Sequence, residues 1–187
     1  AVEVAGSTVR RATLHNADEL ERLGVRTGCR VFIEKGGDVI PKVVAVVPGS
    51  LPEGAACEAV PAACPVCGGT VAKDSDEEVA VRCQNPECPA KLEARLLHLG
   101  SRVALDIEGM GDALVEQLVA ANRFRHPWEV FELFKDAGQG LAFLSGMERM
   151  AEKSAQNLLA AMDAARTKPL SRWIHALGIP FVGAKTA

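Results

Sequence analysis

A chain of 187 residues has room for one or two domains, or for several small modules if a metal staples one of them. No run approaches the roughly 20 apolar residues of a membrane span, and no basic start with an apolar stretch marks a secretory signal; no membrane partner and a reducing, cytosolic setting are therefore expected. The net charge of −3 excludes a broad basic field for nucleic acid, so any such binding must use placed backbone amides and a few cations.

In chain order, Val2, Val4 and Val9 alternate loosely, and Asn16 with Glu19 three residues on has the form of a helix N-cap. A short helix is predicted over Ala17 to Leu23, ended by Gly24. Arg30 to Glu34 and Lys42 to Val47 are rich in β-branched residues and read as strands. Between them lies Lys35-Gly-Gly-Asp-Val-Ile-Pro41, which reads either as a hairpin turn with a solvated lysine or as a loop that brings backbone close to a phosphate. From Pro48 to Ala63 the composition turns to Pro, Gly, Ala and Glu without periodicity, as in a linker.

Cys64-Pro-Val-Cys67 and, after fifteen intervening residues, Cys83-Gln-Asn-Pro-Glu-Cys88 form two close cysteine pairs. Together they supply the four soft ligands of a tetrahedral zinc site, since a Cys-x2-Cys turn points both sulfurs inward. Two disulfides, or four unrelated thiols, are the rival readings. A structural Zn²⁺ is the expectation, because close pairs outside a secretory context favour metal over disulfide and four thiolates leave no open coordination position. Val79 and Val81 suggest a short hairpin within this module, with Asp74 to Glu78 as its acidic tip; Cys29 and Cys57 read as ordinary thiols.

After Pro89 the pattern becomes helical, with Leu92, Leu96, Leu97 and Leu99 on one side. Leu105-Asp-Ile-Glu-Gly109-Met110-Gly111 followed by Leu114, Val115 and Leu118 reads as a helix end, a tight turn and a second helix, with Met110 plugging the angle. Such a turn leaves amides at the start of the second helix facing outward, where phosphate oxygens can accept them. The frame recurs at Arg149-Met150-Ala151 and at Phe181-Val182-Gly183, which argues for a helical array. Taken singly, each is also an ordinary helical corner.

Ala12-Thr-Leu-His-Asn16, Gly37-Asp-Val-Ile-Pro41, the four cysteines, Leu105-Asp-Ile-Glu-Gly-Met-Gly111 and Lys153-Ser-Ala-Gln-Asn-Leu158, in that order, closely resemble the C-terminal half of bacterial NAD-dependent DNA ligases, over essentially the whole chain. The resemblance implies a multidomain α+β fold: an OB-type β-barrel lacking its first strand at 1–50, a linker at 51–63, a small four-cysteine zinc finger at 64–89, and an all-α helix-hairpin-helix array at 90–187 with three of four hairpins. It implies DNA contacts at Lys35, Val39 and Ile40 beside a nick, and at Gly109, Gly111, Arg149, Lys153, Gly183 and Lys185 on phosphates away from it.

The resemblance further implies a monomeric, bacterial, nucleoid-associated partner of nicked duplex DNA, read without sequence preference and serving replication and repair. Family members transfer AMP from NAD, with Mg²⁺, to a lysine in a Lys-x-Asp-Gly motif of an N-terminal adenylation domain. No such motif occurs here. The chain, which starts without methionine and stops in an unfinished helix, is therefore expected to be a fragment that binds neither NAD nor Mg²⁺, carries no catalytic residue, and positions DNA for the adenylation domain of its parent chain. Departures from the family pattern are Cys29 in place of an aspartate, Gly36 in place of alanine, and Arg149 and Ala151 in place of glycines, which puts the second hairpin in question. Competing readings are a non-enzymatic, zinc-stabilised DNA-binding repair scaffold and a zinc-stabilised module whose helices bind a protein.

Overall fold

The structure is a computed structural model that describes residues 1–4, 6–35, 40–56 and 59–187. It falls into two compact units, Ala1–Asn85 and Pro86–Ala187, so that the dividing point lies inside the second cysteine pair.

In the first unit, β1 (Val2–Val4) pairs antiparallel with β2 (Ser7–Val9), Val2 opposite Val9. Helix α1 (Ala17–Leu23) has the predicted caps: the Asn16 side chain accepts the Glu19 N–H at 2.9 Å, and Gly24 takes a left-handed φ of 63° at the C-cap. β3 (Val31–Glu34) pairs antiparallel with β4 (Lys42–Val46), each end within one residue of the prediction, with an irregularity between Phe32 and Ile33. Thr13 joins the far side of β4 through its N–H to Pro41 (2.8 Å) and its carbonyl to Val43 (3.0 Å). Each sheet has two strands, and among the described residues none closes into a barrel. This matches the expected incomplete barrel: with one face unpaired, Phe32 stays 53% exposed, and Val9 and Val43 are the buried aliphatics.

The cysteine module has the expected short hairpin, with one correction, the place of Val79. Its hairpin pairs β5 (Val71–Lys73) with β6 (Val81–Cys83), so the partner strand precedes the acidic tip and Val79 is exposed outside it. The acidic tip is largely exposed, and Arg82 bridges Asp74 at 3.0 Å and Glu78 on its surface.

The second unit is helical: α2 (Pro89–Gly100), α3 (Asp112–Ala120), a 3₁₀ turn (Pro127–Glu129) running into α4 (Val130–Leu133), α5 (Ala137–Ser145), α6 (Glu152–Ala165) and α7 (Leu170–Ala176). Helix α2 ends at Gly100, earlier than the sequence suggests, and Leu105 lies in the connection to α3, where Asp106 takes a φ of 56°. One core joins Leu96 and Leu99 of α2, Leu114, Val115 and Leu118 of α3, Val130 of α4, Leu144 of α5 and Leu158 of α6. Each such side chain, fully buried, contributes roughly 1.5–3 kcal/mol of transfer free energy. That core fixes the turns between the helices, which is where the candidate contacts sit.

Candidate nucleic-acid interface and metal centre

The three predicted corners share one backbone. Met110 N–H bonds the Ile107 carbonyl at 3.2 Å, Met150 N–H that of Met147 at 3.3 Å, and Val182 N–H that of Ile179 at 3.1 Å. At the third position of each turn φ is positive: 92° at Gly109, 60° at Arg149 and 66° at Phe181. This is the signature of a type II turn, whose third position favours glycine. Arg149 therefore preserves the geometry that its replacement of glycine put in question. The cost is strain, since a side chain in the left-handed region is disfavoured by roughly 1–2 kcal/mol.

After each turn the chain enters a helical start by the same route. Leu114 and Val115 N–H bond the Gly111 carbonyl at 3.1 and 3.0 Å, Ala155 N–H bonds Ala151 at 3.0 Å, and Thr186 and Ala187 N–H bond Gly183 at 2.9 and 3.0 Å. Gly111 and Ala151 are the extended N-caps of α3 and α6. The first amides after an N-cap have no intrahelical acceptor and carry the positive end of the helix dipole. A Cβ at Gly111 or Gly183 would meet nothing within 4 Å, so both are open to an approaching ligand.

Gly109, Gly111 and Arg149 line one groove of about 720 Å³ between the first two turns. Its walls also carry Asp112, Glu116 and Glu148, so its charge is mixed; the Arg149 side chain is 90% exposed, with Nε 3.7 Å from Glu148. Lys153 is exposed in the first turn of α6, and Gly183 and Lys185 are exposed in the third corner. One contact across the groove had no sequence signal. The Gln117 carboxamide pairs with the backbone of Glu148, its Oε1 accepting the N–H at 2.7 Å and its Nε2 donating to the carbonyl at 3.2 Å. The two residues are 31 apart, and a glutamine in mid-helix gives no sign of such a partner.

In the first unit, Lys35 Nζ donates to Ser7 Oγ at 3.3 Å, and Ile40 is 72% exposed. Val39, with Gly36, Gly37 and Asp38 of the same loop, and Cys57 lie outside the described residues.

The sulfurs of Cys64, Cys67, Cys83 and Cys88 all lie within 4.8 Å of one another. Cys67 and Cys83 are 3.5 Å apart, far from the roughly 2.0 Å of a disulfide, and close to the ~3.8 Å edge of a thiolate tetrahedron with bonds of about 2.3 Å. The turn that presents them is closed by Cys64 N–H to the Gly69 carbonyl at 2.7 Å and Gly68 N–H to the Cys64 carbonyl at 2.8 Å. Gly69 donates to Cys67 Sγ at 3.4 Å, and a Cβ there would stand 3.3 Å from Cys67 Sγ and 3.1 Å from Asn85. The Cys67 and Val66 amides lower the Cys64 thiol below its ordinary pKa. Donors, spacing and polarity thus fit a metal ion held by four thiolates, the set that zinc prefers.

Comparison with known proteins adds a family description. Residues 1–55 match the NAD-dependent DNA ligase OB-fold domain, and residues 63–90 match the NAD-dependent DNA ligase C4 zinc finger domain. The chain is 47% identical over 188 residues to a DNA ligase of Prosthecochloris aestuarii, covering 100% of the chain and 27% of the relative. It is 49% identical over 187 residues to a DNA ligase of Alkalilimnicola ehrlichii, again 100% and 27%. With a DNA ligase of Halorhodospira halophila it shares 49% over 190 residues, 100% of the chain and 26% of the relative. The chain thus spans about a quarter of the length of the curated relatives it matches.

Proposed function

The chain belongs to the NAD-dependent DNA ligase family, of which it carries the OB-fold and C4 zinc-finger regions, and on that premise we propose that it holds nicked duplex DNA for a nucleotide-transfer domain elsewhere in its parent enzyme. The observation that carries this reading is the threefold recurrence of a type II turn delivering outward amides, at Gly109, Arg149 and Phe181. Amides at a helix start bind phosphate oxygens and carry no base information, so the grip is independent of sequence. Arg149, Lys153 and Lys185 add charge-assisted contacts to the same phosphates. Gly111 and Gly183, with no neighbour where a side chain would stand, let the DNA backbone approach closely.

Lys35 and Ile40 are proposed as contacts near the nick, from a loop bounded by β3 and β4. Cys64, Cys67, Cys83 and Cys88 would hold Zn²⁺, which when bound fixes the turns around it and takes no part in chemistry. The division into 1–50, 51–63, 64–89 and 90–187 is retained as the working arrangement, with residues 90–187 as a helix-hairpin-helix array. The parent enzyme would use NAD and Mg²⁺ in the bacterial cytoplasm to seal nicks in replication and repair. The chain lacks Lys-x-Asp-Gly, so its part is positioning strand ends, which lowers the barrier by orientation.

The test is binding of the 187-residue chain to a nicked and an intact duplex across a salt series, with and without a zinc chelator. A steep loss of affinity as salt rises, tighter binding to the nick, and weakening on chelation are expected. Binding that ignores salt would replace this reading with one in which the helical face takes a protein.

A further inference from the structure

We infer that Gln117 is a positioning residue for the DNA grip, setting the register between the first and second turns; the inference rests on the DNA-binding reading above. Each turn is held by contacts of its own. The first is closed by its own backbone hydrogen bond, with Met110 buried beneath it, and packs on α6 through Leu158, whose Cδ1 stands 3.6 Å from a Cβ built on Gly109. The second is closed by its own bond, from Met150 N–H to Met147. Leu158 ties the first turn to the helix that leaves the second, but neither turn's own hydrogen bond reaches the other.

Gln117 joins the two. It lies in the second half of α3, and its carboxamide bonds both the backbone N–H and the backbone carbonyl of Glu148, at the second position of the second turn. Nε2 also bonds the Ala113 carbonyl at 3.1 Å, one turn back along α3, which fixes the rotamer. The Glu148 N–H and C=O belong to successive peptide groups on either side of its Cα, and one carboxamide that accepts from the first and donates to the second resists sliding along the groove as well as opening across it. Glu148 precedes Arg149, so the pairing also aims the residue whose side chain is exposed at the groove's edge.

Phosphates along a DNA strand have a fixed spacing, so two sets of amides contact one backbone only when their separation is fixed as well. Gln117 supplies that constraint without touching DNA. Its loss leaves each turn and the Leu158 packing intact and frees the second turn to shift along the groove.

The test uses Gln117→Met in the 187-residue chain, a change that keeps side-chain length and removes both hydrogen bonds. Three readouts are combined: amide exchange at Glu148, thermal melting, and duplex affinity across a salt series, alone and with Arg149→Ala. Expected are faster exchange at Glu148, a nearly unchanged melt, and an affinity reduced at least about threefold. The affinity loss should be smaller, but still present, in the Arg149→Ala background, where the register of the amides is all that remains to be lost. Wild-type affinity in Gln117→Met, or an affinity loss without faster exchange at Glu148, would overturn the inference while leaving the DNA-binding reading standing. A wild-type chain that binds no duplex at any salt overturns the reading, and the inference with it.

Discussion

Met110 closes directly on Gly100: its Sδ lies 2.8 Å, and its Cβ and Cγ 3.0 Å, from the point where a side chain on Gly100 would begin. The end of α2 can approach the first turn this closely because nothing projects from that position. Gly100→Ala should therefore destabilise the chain by about 1–3 kcal/mol, the usual range for overpacking. Combined with Met110→Ala, the penalty should fall short of the sum of the two single changes. Thermal melting of the three variants checks this, and strict additivity would show that the two sites do not meet.

Arg149 predicts opposite effects on stability and on binding. At a φ of 60° its side chain strains a corner that glycine would occupy without penalty. Arg149→Gly should leave the melting point unchanged or raise stability by up to about 1 kcal/mol. The same variant should bind duplex more weakly, with the slope of log K against log salt reduced by about one. A destabilised variant with unaltered salt dependence would mean that the side chain holds the fold rather than DNA.

The four-cysteine cluster predicts that Cys83→Ser lowers bound zinc below one ion per chain and exposes the amides of 62–88 to exchange. A chelator should reproduce the effect in the unaltered chain. Metal content by mass spectrometry, read beside exchange, is the check. Full zinc occupancy in Cys83→Ser with unchanged protection would remove that residue from the ligand set.

Glu129 gives the chain an acid-sensitive joint. Its carboxylate accepts the Arg125 N–H at 2.7 Å and the His126 N–H at 3.3 Å, and these bonds hold its pKa below the ordinary carboxylate range. A depressed folded-state pKa contributes stability that is present above the unfolded value and is lost as pH falls through the folded one. The stability advantage of the unaltered chain over Glu129→Gln should therefore hold near neutrality and vanish in the acid range. Parallel melts from about pH 7 to about pH 3 measure it; an advantage independent of pH would mean the charge is irrelevant there.

Local chemistry explains what the sequence made legible. Helix α1 was readable because cap, acidic third position and terminating glycine all sit within nine residues. The metal site was readable because ligand spacing is a covalent property of the chain. The strand facing Cys83 was not: Val71–Lys73 and Val79 are similar in composition, and pairing rather than propensity selects between them. The helices between 127 and 145 escaped notice because they are short and interrupted, and they are held by burial of Val130 and Leu144 in the core rather than by a strong pattern of their own. At Arg149 the recurring frame named the turn although the glycine is replaced, and the backbone retains it. Gln117 lay beyond any local reading, since its partner belongs to a different corner.

The central claim is that the amides of the helical turns hold DNA, and amide-resolved NMR of the 187-residue chain titrated with a nicked duplex tests it most directly. The account predicts that shifts concentrate at the helix starts after Gly111 and Ala151 and in the turn after Gly183, and fade together as salt is raised. Duplex binding that leaves all three sets of amides unmoved would contradict it.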